Sequence, residues 1–189
     1  WAGGGEAVTP GGDADEARRL FAALGVTPDR PRTLELSTSG NPERLRLAAA
    51  LAAELAPYGL EIRIRSADWA AFYAAVRAGR FQLCLLQWVG LKLPDIYRHA
   101  LHSSAIPPAG ANRGGVTDPR LDALIEAAET ASPEAAPTAW RAVRAHLRDT
   151  LPFIPLWFED ATAVVGPRAH DYTLGADGSL DGLAQPGFR

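Results

Sequence analysis

An α/β fold, with a mostly parallel sheet flanked by helices, follows from three features of the sequence. Two alternating segments, 33–38 (TLELST) and 60–66 (LEIRIRS), are each followed by an amphipathic helical stretch. A nearly continuous apolar run at 81–88 (FQLCLLQW) then completes a strand–helix–strand–helix–strand order. The connections are short, which favours parallel strands joined by helices that cross the sheet.

Each element has its own local signal. Residues 1–12, with Gly3, Gly4, Gly5, Gly11 and Gly12, read as a flexible lead. Asp13 and Glu16 stand at capping-box spacing before a helix whose apolar face is Ala17, Leu20, Phe21 and Leu24, and Gly25 stops it. After the first strand, Asn41-Pro42 opens a second helix with Ala48, Leu51, Ala52 and Leu55 inward; Pro57 and Gly59 end it. In the second strand Leu60, Ile62 and Ile64 share one face, opposite Glu61, Arg63 and Arg65. A third helix carries Trp69, Phe72, Tyr73 and Val76 on one stripe and ends at Gly79. The run 81–88 reads as a central strand buried on both faces. A short helix over Asp95–Leu101 follows, then a Pro/Gly/Asn-rich loop from Ser103 to Val116. Asp118-Pro119 opens a helix with Leu121, Leu124, Ile125 and Ala128 inward, and Ser132-Pro133 opens another with Trp140, Val143 and Leu147 inward. Residues 152–158 and 161–165 read as two further strands. The expected organisation is one lobe over 13–166 and a poorly patterned tail over 167–189.

Composition narrows the function. The chain has 189 residues, enough for one domain with a substantial core. Nineteen basic against 22 acidic residues give a net charge of −3, so no global basic field exists for nucleic acid or anionic lipid. The hydrophobic fraction of 47% argues against disorder. Cys84 is the only cysteine, so neither an internal disulfide nor a Cys-rich zinc site is available. The chain contains no methionine and opens on Trp1, as expected of a piece of a longer protein.

Catalytic patterns are weak. Neither Ser37-Thr38-Ser39-Gly40 nor Gly178–Gly182 has the strand-to-helix context and spacing of a nucleophile elbow; both read as turn serines. Gly110–Gly115 precedes a helix but lacks the strand and lysine of a phosphate loop. Asp95, His99 and His102 fall on one helical face, but no fourth ligand accompanies them, so no metal is expected. Asp122, Glu126 and Glu129 read as solvated helix carboxylates, and Cys84 as a small buried apolar residue. Gln87-Trp88-Val89-Gly90 is different. Open α/β sheets bind ligands outside the carboxyl ends of their strands, and these residues follow a strand there.

The order of these elements resembles the C-terminal part of family 5 extracellular solute-binding proteins, the peptide-, dipeptide- and nickel-binding receptors of ABC importers. The resemblance runs from Glu16 to Gly166. It is carried by Ala17–Gly25 (ARRLFAALG), Tyr58-Gly59-Leu60-Glu61-Ile62, Asp68 with Phe72, Gly79-Arg80-Phe81-Gln82 and Gln87-Trp88. Pro94-Asp95, Leu101–Ser104, Gly110-Ala111-Asn112, Leu121–Ile125 and Leu151–Leu156 continue it. It implies one lobe of a clamshell that closes on a small solute and docks on an ABC permease, with no catalytic residues and no cofactor. It further implies a periplasmic or extracellular monomer, either free or membrane-anchored through a missing N-terminus, whose second lobe lies outside this chain and whose tail returns toward that lobe. Leu91 stands where peptide-binding members carry the acidic residue that pairs with a peptide's α-amine. A buried ammonium there would keep its desolvation cost without a counter-charge.

The expected ligand-binding residues are therefore Gln87, Trp88, Leu91, His99 and Asn112, with Trp88 stacking on the solute and no terminal ammonium as main anchor. Two other classes compete. One is a small α/β enzyme with an unrecognised site; the other is an interaction module using Trp69, Trp88 and Trp157.

Overall fold

The computed structural model describes residues 12–88, 94–157, 162–166 and 174–175. Most of the lead and the tail, and Leu91 with its neighbours from 89 to 93, lie outside the described residues.

Three parallel strands form one sheet in the order β2-β1-β3. They are β1 (Arg32–Ser39), β2 (Leu60–Ala67) and β3 (Leu83–Cys84). Helix α1 (Ala14–Ala23) precedes them, α2 (Pro42–Leu55) joins β1 to β2, and α3 (Trp69–Arg77) carries the chain across β1 to β3. The centre of the sheet is thus β1, not the run at 81–88. Its second half is buried from Leu36 to Ser39.

The caps explain why the helices start where they do. Asp13 Oδ1 accepts the amides of Asp15 and Glu16, and Asn41 Oδ1 those of Glu43 and Arg44. At the end of α2 a short 3-10 turn, Ala56–Tyr58, leads into Gly59 at φ 88°. Only glycine fits there, since a Cβ would lie 2.3 Å from the Thr27 carbonyl oxygen.

The apolar run 81–88 departs from expectation. Only Leu83 and Cys84 pair with β1, opposite Leu36 and Ser37, followed by the Leu85 amide on the Ser37 carbonyl at 3.1 Å. The Gln82 side-chain oxygen takes the Glu35 amide at 2.6 Å, so a side chain replaces the first rung of the ladder. No strand covers the far side of β3 among the described residues, and Leu83 is 38% exposed rather than buried on both faces. Of the segments expected as strands, 152–158 and 161–165, the described residues 152–157 and 162–165 have no ladder partner among the described residues and are not strands.

The second half is helical: α4 (Ile96–Leu101), α5 (Pro119–Glu129) and α6 (Ala136–Thr150). Helix α6 begins several residues after Ser132-Pro133. The Ser132 carbonyl accepts the amides of Ala135 and Ala136 in a turn, and Pro137, which has no N–H, sits in the first helical turn. Leu101, Leu121, Ile125, Ala128, Trp140 and Val143 form one buried cluster, with the Tyr97 ring stacked on Trp140 at 5.4 Å. No helix among the described residues is long and apolar enough to cross a membrane.

Candidate functional site

The carboxyl ends of the three strands lie on one side of the sheet because the strands are parallel. Helices therefore start there too. Asn41 caps α2 after β1, and Asp68 caps α3 after β2, accepting the Ala71 amide at 3.0 Å. Between them opens a shallow depression of about 520 Å³ lined by Ser39, Gly40, Asn41, Arg44, Asp68 and Trp69. Beneath its rim, Thr38 is fully buried, and its hydroxyl has no hydrogen-bond partner among the described residues.

A ridge of rings and guanidinium groups continues from this depression. Arg44 lies 5.6 Å from the Trp69 ring centre, and Trp69 stacks on Tyr73 at 5.4 Å. Arg113 follows, 5.0 Å from the Tyr73 ring and 5.3 Å from the Trp88 ring. Trp88 in turn meets His99 edge-on at 6.3 Å. These six side chains come from α2, α3, the segment after β3, α4 and the loop before α5. Each contact is worth about 0.5–1.5 kcal/mol when partly desolvated.

The expected site residues fare differently. Trp88 and Gln87 are exposed at the carboxyl end of β3, and His99 is exposed beside Trp88. Leu91 lies outside the described residues. Asn112 is 0% exposed and faces inward. Its amide nitrogen donates to the carbonyls of Leu101, His102 and Val116, and its oxygen accepts the Val116 amide at 2.9 Å. Asn112 is the internal brace of the loop and does not reach the surface to which the expectation assigned it.

The ridge partners Arg44, Trp69, Tyr73 and Arg113 were not among the expected ligand contacts. Trp69 and Tyr73 read from spacing as part of one helix stripe with Phe72 and Val76, and Trp69 is 52% exposed whereas Phe72 and Val76 are buried. For Arg113 the one available signal was an uncompensated arginine in the Gly/Pro-rich loop.

The other chemical candidates are absorbed locally. His102 is buried; its Nδ1 accepts both the amide and the hydroxyl of Ser104, so its Nε2 carries the proton and donates to Glu126 at 3.3 Å. This Ser–His–Glu sequence of contacts caps the 3-10 turn Ser103–Ala105, since the single Nδ1 lone pair is already shared with a backbone N–H. Asp122 holds the amide and hydroxyl of Ser103. Asp95, His99 and His102 form no metal-binding group among the described residues. Burial pushes the Cys84 thiol up, with the Arg113 charge opposing, which disfavours the reactive thiolate. What the surface offers is non-covalent: flat apolar rings, edge N–H donors and an open depression at the strand ends.

Comparison with known proteins gives a consistent picture. The family described as bacterial extracellular solute-binding proteins, family 5 Middle, matches residues 1–104. Di/tripeptide-binding protein 2 of Pseudomonas aeruginosa (strain UCBPP-PA14) is 27% identical over 149 residues, covering 76% of this chain and 28% of that protein. Two solved structures share the fold. The ABC transporter-associated periplasmic binding protein DppA of Helicobacter pylori, in complex with the peptide STSA, has a TM-score of 0.65 and 20% identity. The match covers 76% of this chain and 28% of that one. NikZ of Campylobacter jejuni, in complex with Ni(L-His), has a TM-score of 0.66 and 19% identity over 74% of this chain and 31% of that one. These relatives are binding proteins rather than enzymes, and the chain spans less than a third of the length of each.

Proposed function

The chain belongs to the bacterial extracellular solute-binding proteins of family 5, and from that premise we propose that it forms one wall of a cleft that captures a small, peptide-like solute for ABC-type import. The observation that carries this reading is the exposed Trp88 ring, held between Arg113 and His99 at the carboxyl end of the sheet. A large flat ring, fixed by its neighbours and open to solvent, is suited to cover an apolar part of a ligand at little cost in side-chain entropy. Gln87 and His99 stand beside it as polar contacts, and Leu91 contributes no charge. Position 91 thus carries no acidic group for a terminal ammonium. Asn112 acts behind the surface by fixing the loop that carries Arg113.

In this reading the remaining part of the protein supplies the opposite wall, closure excludes water, and a membrane permease receives the solute. The protein works as a monomer in the periplasm or outside the cell and carries out no covalent chemistry. The test is calorimetry of residues 1–189 and of the full-length protein with the same dipeptide, alanyl-alanine, and its N-acetyl derivative. Half a cleft should bind at least about 100-fold more weakly than the closed receptor. Equal affinities would place the whole site within this chain and restore the enzyme reading.

A further inference from the structure

Arg113 stands between two rings, with its guanidinium carbon 5.0 Å from the Tyr73 centroid and 5.3 Å from that of Trp88. One of its N–H groups donates to the Tyr73 hydroxyl at 2.8 Å. Among the described residues no carboxylate lies within ion-pair distance of it, although the chain forms such pairs elsewhere at Arg18, Arg19, Arg65 and Arg98. The side chain is half-buried, so this charge is held near the surface with no counter-ion among the described residues. Nor is it loosely held. The Arg113 amide donates to the Ala111 carbonyl at 2.8 Å, and the neighbouring Asn112 is locked by its side-chain bonds to Leu101, His102 and Val116.

The geometry leaves the guanidinium a defined capacity. Its N–H donors lie in the plane of the group, whereas contact with ring faces is made above and below that plane. Of its five N–H groups, one is taken by the Tyr73 hydroxyl, and the Trp88 ring, which has no acceptor oxygen, takes none. After the bond to Tyr73, the free part of the fork still suits a planar oxyanion, which it can hold with two parallel bonds. Trp88 on one side shields that pair from water and strengthens it.

We propose that Arg113 is a specificity-determining residue that binds a carboxylate of the solute through its free N–H edge, while Trp88 covers the adjacent apolar part. This rests on the solute-capture reading. The wall then selects for an acid group.

The experiment uses the full-length protein at pH 7 and two probes differing only in the group at issue: N-acetyl-alanyl-alanine and its C-terminal amide. Wild type should bind the acid at least about tenfold more tightly than the amide, the scale of one charge-assisted bond. R113A should bring the acid down to the level of the amide and leave the amide within about twofold of its wild-type value. R113K, which keeps the charge but lacks the planar fork, should restore only part of the preference and guards against misfolding of R113A. An acid-to-amide ratio that survives in R113A overturns the assignment while leaving solute capture intact. So does a parallel loss of both probes in R113A, which would mark Arg113 as purely structural. A wild type that binds neither probe overturns the peptide-like solute reading itself, and this assignment with it.

Discussion

From Ile96 to Thr150 the chain packs three helices around their own side chains, whereas from Arg32 to Cys84 it builds a sheet whose outer strands stay open among the described residues. The helical half buries Leu121, Ile125 and Val143 completely, in contacts among α4, α5 and α6. The sheet half buries the end of β1 but leaves Ile64 on β2 and Leu83 on β3 more than a third exposed. The difference teaches where each property of the molecule lives. Local helix packing supplies stability, while the incomplete sheet presents its strand ends, and the ring-and-arginine ridge bridges the two halves through Arg113.

The sharpest way to break this comparison is to cut the same apolar bulk from each half. Leu121→Ala should cost about 2–5 kcal/mol, because the site is fully enclosed and a cavity remains. Ile64→Ala, at 39% exposure on an outer strand, should cost roughly 1 kcal/mol or less. Urea melts of both variants decide it. Comparable losses would mean that the sheet half is as tightly packed as the helical half.

Asn112→Ala tests the join between the halves. The substitution leaves the carbonyls of Leu101, His102 and Val116 without their shared donor and the Val116 amide without its acceptor. The His102 carbonyl keeps the Ala105 amide, but each buried group left with no partner costs about 1–3 kcal/mol, so the melting temperature should fall markedly. If Asn112 instead served the solute directly, the variant would keep its melting temperature and lose affinity.

Trp88→Ala should do the reverse. The ring is 39% exposed and belongs to no buried cluster, so the melt should shift little. Solute affinity of the full-length protein should fall by the stacking contribution of about 0.5–1.5 kcal/mol plus the lost burial. Tryptophan fluorescence and calorimetry with N-acetyl-alanyl-alanine measure the two effects. A large loss of stability with unchanged affinity would move Trp88 from the site to the core.

The same contrast governs what was legible in the sequence. Helix starts at Asp13, Asn41 and Asp118 were readable because a cap is decided within three residues. The sheet order and the brevity of β3 were not, because pairing depends on residues distant in sequence: the Gln82 side chain competes for the Glu35 amide far along the chain. The apolar segment at 152–157 carried a strand composition but finds no partner among the described residues. The exposed place of Trp88 at the end of the sheet was readable from its position after an apolar run. Asn112 was misplaced because an amide reads the same whether it meets a ligand or three backbone carbonyls. Arg113 escaped because its neighbours, Tyr73 and Trp88, come from other parts of the chain.

The smallest expected effect concerns charge in the helical half. Asp118 caps α5 through the amides of Arg120 and Leu121, and also meets His146 of α6 at 2.6 Å. The bond to His146, then the Leu121 amide, holds the Asp118 carboxyl below its ordinary value of 3.8. A carboxylate whose value is lowered by folding stabilises the native state above that ordinary value and loses its contribution as pH falls through the lowered one. Asp118→Asn keeps a good capping side chain but removes the charge, so it should cost about 0.5–1 kcal/mol at neutral pH. The gap between wild type and variant should close as pH drops below 3.8. The ion pairs of the sheet half, such as Arg65 with Glu35, are exposed and should add little there. Hydrogen exchange on both proteins at neutral and acid pH should therefore show the amides at the start of α5 opening first, with β1 and β2 little changed. If acid opens β1 and β2 first and the gap persists, the Asp118–His146 contact does not tie α5 to α6 in solution.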